Sequence, residues 1–328
     1  MISATDVPVY ADAALRRLGD AIKDTGYQFT AVTPATHERV NRRPENARAR
    51  TLRDVLGWSR PFGPGVLPDD LVRLLDEAGA LERDGDSNRD GGTWRSRVRC
   101  STHDGQLFFH SAYPPAEPDA VFFGPDTLRT CDAVTAHLRT LPAAPRRVVD
   151  IGTGSGAVAV TVARILACDG GPDAEVLGVD VNPVALRYTA VNAGLAGVRV
   201  TPVRSDLLNG VDGQFDLIVS NPPFMIDPQG RRYRDGGGEH GHDLPLAVLD
   251  TALTRLAPGG SLVLFSGTGI VDGHDPLLAA AATRLAGTGF AWRYREVDPD
   301  VYSENLDDPS YAHAERIAVC LLIAERRR

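Results

Sequence analysis

Cysteine, lysine and long apolar runs are scarce in this chain, and each scarcity closes off a class of protein. The four cysteines, Cys100, Cys131, Cys168 and Cys320, are scattered with no CxxC spacing. Reduced thiols are therefore expected, with neither a disulfide framework nor a bound metal. No apolar run reaches the roughly 18 residues that mark a membrane-spanning helix. The opening stretch MISATDVPVYADAALRRLGD carries acids and helical spacing where a secretory leader has a basic start and an apolar block. A cytoplasmic location without a membrane partner is expected. Lys23 is the only lysine among 35 basic side chains, and the formal net charge is -8. Residues 1 to 147 hold 20 basic and 20 acidic side chains, so the whole deficit lies in residues 148 to 328. That balance disfavours a surface built to coat nucleic-acid phosphates.

What is present is an ordinary globular composition, long enough at 328 residues for one large domain and a smaller one. ALRRLGDAIKDTG, residues 14 to 26, reads as an amphipathic helix ended by glycine. The Arg-rich stretch 37 to 58 is expected to be helical after Pro44. Residues 68 to 86 are expected to be helical too, with Asp69 and Asp70 in the first turn. TWRSRVRC and GQLFFHSAY, split by the turn-rich STHDG, read as a β-hairpin. Helices followed by a hairpin over roughly residues 35 to 113 resemble a winged-helix module, and the proline-rich segment 114 to 120 marks a boundary. A winged-helix-like substrate-recognition domain over residues 1–115 and a second domain over 116–328 are therefore expected.

From residue 146 the rhythm becomes strand, loop, helix. Strands are expected at 147–151, 175–181, 198–203, 215–220, 261–265, 291–297 and 315–324, with helices near 155–168, 183–194, 243–257 and 275–287. Such alternation predicts an α/β fold with a mostly parallel sheet covered on both faces. Its ligand belongs beyond the carboxyl ends of the strands.

VVDIGTGSGAV runs from a buried strand through a glycine-rich turn into a helix. Gly152, Gly154 and Gly156 let a ligand approach the backbone, and the spacing also satisfies the dinucleotide fingerprint. Asp150, two residues before the first glycine, would repel a pyrophosphate but suits a ligand bearing an ammonium group. Asp180 ends the second strand, placed to accept from ribose hydroxyls, as nicotinamide-dinucleotide sites also do. Asp206 follows the third strand, where it can accept from an adenine amino group. Together these residues resemble the S-adenosylmethionine site of class I methyltransferases. The resemblance covers roughly residues 120 to 328. It implies a seven-stranded sheet with the last strand antiparallel, S-adenosylmethionine as cofactor, and Thr153, Val181, Ser205 and Leu207 as further cofactor contacts.

After the fourth strand comes Asn221-Pro222-Pro223-Phe224. Here the resemblance sharpens to enzymes that methylate planar nitrogens: adenine N6, guanine N2 and the glutamine amide of translation proteins. An amide nitrogen delocalises its lone pair and is a poor nucleophile. Asn221 Oδ1 and the Pro222 carbonyl can accept its N–H bonds, held in place beforehand by the prolines. Phe224 offers a flat face for stacking, and Asn221 also borders the cofactor. Phe123 and Asp126, in FFGPDT, together with Tyr233 and Arg234 are expected near the substrate. The glycine-rich RRYRDGGGEHGHDLP, residues 231 to 245, reads as a mobile lid. His240, His242, Glu239 and Asp243 crowd one turn without the spacing of a zinc site, so no metal is expected.

The expected activity is S-adenosylmethionine-dependent N-methylation of a protein glutamine amide or a small-molecule amine. The chain departs from the glutamine-methylating family in its longer N-terminal region, in Phe224 where that family usually has tyrosine, and in GPDT, which lacks that family's arginine. Three other readings fit the residues: methylation of an RNA base, a small-molecule tailoring enzyme, and intramolecular displacement by the amino group of S-adenosylmethionine itself. A winged-helix sensor of S-adenosylmethionine would not need the Asn221-Pro222 acceptors.

Overall fold

The spacing of Leu15, Leu18 and Ile22 gives the first helix one apolar stripe, and all three are buried. In a computed structural model describing residues 9–84, 92–115, 117–168, 174–231 and 233–328, this helix is α1, Val9–Asp24. Helix α2, Pro34–Asn41, starts where the Thr33 hydroxyl accepts from the Thr36 amide at 3.3 Å. A capping box between Thr51 and Asp54 opens α3, Leu52–Leu56. The helix expected after Pro44 is thus only partly formed, as a single 3₁₀ turn, Pro44–Asn46, and then the short α3, while α2 lies ahead of that proline. Pro44 lacks an amide and disfavours helix in the residue before it. Helix α4 is Asp69–Glu77, shorter than the expected 68–86, because Gly79 at φ +65° turns the chain. Residues 85 and 86 of that expectation, Ala116 of the proline-rich segment and Arg232 of the glycine-rich loop lie outside the described residues.

Strand β1, Leu81–Arg83, pairs antiparallel with β2, Trp94–Ser96. Strand β3, Val98–His103, pairs with β4, Gln106–Ser111, through the two-residue turn Asp104-Gly105. Both turn residues have positive φ, the conformation that a tight hairpin requires. The stretch 93–100 is therefore divided at Arg97 between two partners.

The remaining elements alternate as expected. They are α5, Pro125–Leu138; β5, Arg147–Ile151; α6, Ala157–Cys168; β6, Glu175–Asp180; α7, Pro183–Ala196; β7, Thr201–Arg204; and β8, Phe215–Ser220. Then come α8, Asp243–Arg255; β9, Leu256–Ile270; α9, Pro276–Leu285; β10, Ala291–Asp298; and β11, Arg316–Glu325. The seven-stranded sheet has the order β7-β6-β5-β8-β9-β11-β10. Strand β11 runs antiparallel to both neighbours, and the other pairings are parallel. Consecutive strand residues such as Leu217, Ile218 and Val219 are fully buried because helices cover both faces. Residues of α5 and α6 pack against Val148 and Val219, and residues of α8 and α9 against Val149 and Ile218.

The described part of the N-terminal region, residues 9–84 and 92–115, rests on α7. Leu18, Phe29, Phe62, Leu75 and Phe109 share one apolar cluster with Ala185, Tyr188, Val191 and Leu195 of that helix. Buried among them, the Asn192 side chain makes three backbone bonds. Its oxygen accepts from the Phe109 amide at 2.8 Å. Its nitrogen donates to the carbonyls of Phe109 at 3.0 Å and Ser155 at 2.8 Å. The amide thus joins β4 to the glycine-rich turn after β5. Replacing it with an apolar isostere, Asn192→Leu, strands three buried backbone groups. Chemical denaturation is expected to show a loss of about 3 kcal/mol, and an unchanged midpoint would show that the clamp is dispensable.

Candidate active site

Strands β5, β6 and β8 end side by side, and a cavity of about 690 Å³ opens beyond their carboxyl ends. Its floor is the turn after β5, where Gly152, Gly154 and Gly156 all have positive φ. At Gly156 the constraint is also steric, since a Cβ there would stand 2.9 Å from Thr189 Cα. The amides of Gly152 and Thr153 donate to the Val179 carbonyl at 2.8 and 3.0 Å, tying the turn to the end of β6.

Three carboxylates punctuate this floor. Asp150 is buried, and its Oδ2 accepts from the Thr153 hydroxyl at 2.8 Å and the Ala159 amide at 3.2 Å. Burial still pushes its pKa up to about 7, with the nearby Asp180 adding to the rise. Asp180 accepts from the Gly154 amide at 3.0 Å and the Asn182 amide at 2.9 Å, and burial raises its pKa as well. Each of its oxygens keeps further acceptor capacity. Asp206 lies exposed on the cavity wall between Ser205 and Leu207. Val181, 42% exposed, closes the same end. An acid for a cation, an acid for a pair of hydroxyls, an acid for an amine and a close-approach glycine turn fit an adenosyl ligand that carries an ammonium group.

The opposite end of the cavity is built around Asn221-Pro222-Pro223-Phe224. The Ser220 hydroxyl donates to the Ile151 carbonyl at 2.7 Å, so the corner leaves the sheet beside the glycine turn. Asn221 Oδ1 is buried and has no hydrogen-bond partner among the described residues. Phe224 lines the cavity but is only 8% exposed, with its ring over Gly267 and 6.4 Å from that of Tyr302. Asp126 also lines the wall, accepting from the Tyr302 hydroxyl and from Arg129 Nη1 at 3.0 Å. Burial raises its pKa despite these donors. Tyr233 and Arg234 complete this end.

One expected site residue lies elsewhere. Phe123 is 1% exposed in the core, stacked on His110 and Phe108, because the extended chain at 121–123 alternates its side chains. Phe122 is the residue that faces the cavity, with its ring 6.4 Å from that of Tyr233. The glycines of residues 236–241 serve close packing: a Cβ on Gly241 would meet the Phe224 carbonyl oxygen at 2.4 Å. Pro34, Glu38, Arg39 and Tyr113 add a wall from the N-terminal region, and no local pattern announces them. His242 is buried, and its pKa is pushed down to about 4 by burial and then by His240. Among the described residues, no group of three or more histidine, cysteine or acidic side chains is arranged to hold a metal.

The strand order, the glycine turn after β5 and the acid ending β6 are those of a class I methyltransferase. Residues 128–269 match the methyltransferase small domain family. The release factor glutamine methyltransferase of Deinococcus radiodurans is 37% identical over 165 residues, 47% of this chain and 54% of that protein. Its counterpart from Geobacter sulfurreducens is 38% identical over 179 residues, 51% of this chain and 58% of that one. Methyltransferase HEMK2 of Mus musculus is 31% identical over 172 residues, which is 49% of this chain and 74% of that protein. The chain belongs to this family of class I methyltransferases, and it spans about half the length of the release factor enzymes it matches.

The buried Asp150 gives the site a pH signature. Its pKa in the folded chain, about 7, exceeds the ordinary 3.8, so the stability tied to its proton is complete below 3.8. That stability is lost as pH rises through about 7. Asp150→Asn should flatten the fall of the thermal midpoint between about pH 4 and about pH 7. Identical pH profiles for the two proteins would refute the assignment.

Proposed function

We propose that the cavity binds S-adenosylmethionine and that the chain transfers its methyl group to a nitrogen held by Asn221 and Pro222. The side-chain amide of a protein glutamine is the favoured substrate. The observation that carries this reading is Asn221 Oδ1, a buried acceptor without a partner at the tip of β8. Burying an unpaired acceptor is costly, and an N–H of the incoming nucleophile would satisfy it. The Pro222 carbonyl is the second acceptor. With both N–H bonds accepted in one plane, the nitrogen lone pair points out of that plane. The two prolines fix the acceptors before substrate arrives, so no reorganisation is needed during reaction.

When bound, S-adenosylmethionine supplies an electrophilic methyl group. Asp150 would take the ammonium, Asp180 the ribose hydroxyls and Asp206 the adenine amino group. Gly152, Thr153, Gly154, Gly156, Val181, Ser205 and Leu207 would form the walls around them. Phe224 offers its face to the planar amide, and its packing against Gly267 keeps that face fixed. The similarity to release factor glutamine methyltransferases supports glutamine as the substrate. A small-molecule amine is the second reading, favoured by the wall that Pro34, Glu38 and Tyr113 add to the cavity. On either reading, residues 1–115 act as the recognition domain and 116–328 as the catalytic one. A cytoplasmic location goes with this assignment; among the described residues no helix is long and apolar enough to cross a membrane.

The test is mass spectrometry of products formed from S-adenosylmethionine, alone and with cell extract. Asn221→Ala should bind the cofactor normally and lose about a hundredfold or more in methyl transfer. Unchanged turnover would remove the acceptor role. Consumption of S-adenosylmethionine without any methylated product would instead indicate displacement by its own amino group. Asp180→Ala should weaken cofactor binding roughly tenfold or more by calorimetry, and an unaltered Kd would clear Asp180 of the ribose role.

A further inference from the structure

Among the described residues, two buried side-chain atoms without a partner belong to residues lining the cavity: Asn221 Oδ1 and Arg234 Nε. The first is an acceptor and the second a charged donor. Backbone bonds tie the two segments together four residues past Asn221, because the Met225 amide donates to the Arg234 carbonyl at 3.0 Å and the Gly236 amide to the Met225 carbonyl at 2.9 Å. Arg234 is thereby fastened to the chain just after the Asn-Pro-Pro-Phe corner.

Among the described residues no carboxylate forms an ion pair with this guanidinium, although its charge reaches Asp227 and Asp308. Its Nη2 donates to the side-chain oxygen of Asn305, a neutral group. The nearby carboxylates are engaged elsewhere. Asp227 receives Arg231 through its amide at 2.8 Å, Nε at 2.8 Å and Nη2 at 2.6 Å. Asp308 accepts from the Ser310 amide at 2.9 Å, and Asp126 from Tyr302 and Arg129. At the exposed rim, Arg39 and Glu304 carry opposite charges. A partly desolvated guanidinium with an open donor fits an anionic acceptor, and its planar fork matches a carboxylate.

We propose that Arg234 is a specificity-determining residue that receives a carboxylate of the substrate. The molecule presenting its nitrogen to Asn221 then also carries an anionic group. That pairing rests on the methyl-transfer reading above, whereas carboxylate binding by Arg234 stands on its own geometry. The carboxylate has two sources, a free amino acid or an acidic residue beside the glutamine of a peptide.

The experiment titrates the full chain, saturated with S-adenosylmethionine, against matched probes. These are L-glutamine and L-glutaminamide, and a glutamine peptide bearing a neighbouring glutamate or, in its place, a second glutamine. At least one carboxylate probe should bind about tenfold more tightly than its carboxamide partner, the scale of one charge-assisted hydrogen bond. Preference within the amino-acid pair identifies a small molecule, and preference within the peptide pair identifies an acidic segment. Arg234→Gln should erase the preference and Arg234→Lys should keep part of it, with cofactor affinity unchanged in both as the control for folding. Equal binding within both pairs, no binding of any probe, or a preference that survives Arg234→Gln overturns the proposal. A preference that holds while no methylated product forms would count against methyl transfer alone.

Discussion

The parallel pairing of β5 with β6 and β8 is the constraint on which the site depends. Ile151 stands opposite Val179 on one side and Ser220 on the other. Gly152, Asp180 and Asn221 therefore leave the sheet at one level, although they are far apart along the chain. Strand β7 extends the same logic, because Asp180 faces Arg204 and the next residues, Ser205 and Asp206, reach the cavity wall. Side chains alternate along a strand, so a slip of one residue would exchange the side chains packed in the two cores and carry these strand ends to different heights. Burial of the sheet on both faces makes such a slip prohibitively unfavourable.

Around that edge the chain accumulates features that work against stability. Asp126, Asp150 and Asp180 are all carboxyls whose pKa burial raises. Leu207 and Tyr302, both on the cavity wall, are non-glycine residues at φ +48° and +53°. Left-handed backbone of this kind persists where surrounding packing over-determines it, and it gathers at functional sites. The apolar clusters behind the sheet supply that packing. Cavity and core are thus complementary, one holding unfavourable polar geometry that the other offsets.

Much of this was legible in the sequence because it is written locally. Strand β8 falls on the expected residues 215–220, and the carboxyl ends of β5 and β6 fall within a residue of expectation. Pattern and punctuation decide such elements. The helix expected after Pro44 fell short because the capping box of Thr51 and Asp54 restarts the helix only at Leu52, beyond a single 3₁₀ turn. Phe122 and Phe123 are chemically alike, and only the packing of Phe123 on His110 and Phe108 settles which ring faces inward. The wall from Pro34, Glu38 and Tyr113 depends on how the described N-terminal residues sit on α7, a tertiary matter with no local trace. The unpartnered atoms on Asn221 and Arg234 are likewise visible only once every neighbour is in place.

Asn192 joins the backbone of β4 to the carbonyl of Ser155 through one side chain. Opening of the hairpin and opening of the glycine turn are therefore linked through one side chain. Amide protons of Phe109 and its neighbours become reporters on a loop that they do not touch. The N-terminal region cannot be exchanged for another as an independent module, because any replacement must present a strand backbone at the same height to the same amide. Strand β4 and the glycine turn are, in this chain, coupled through position 192.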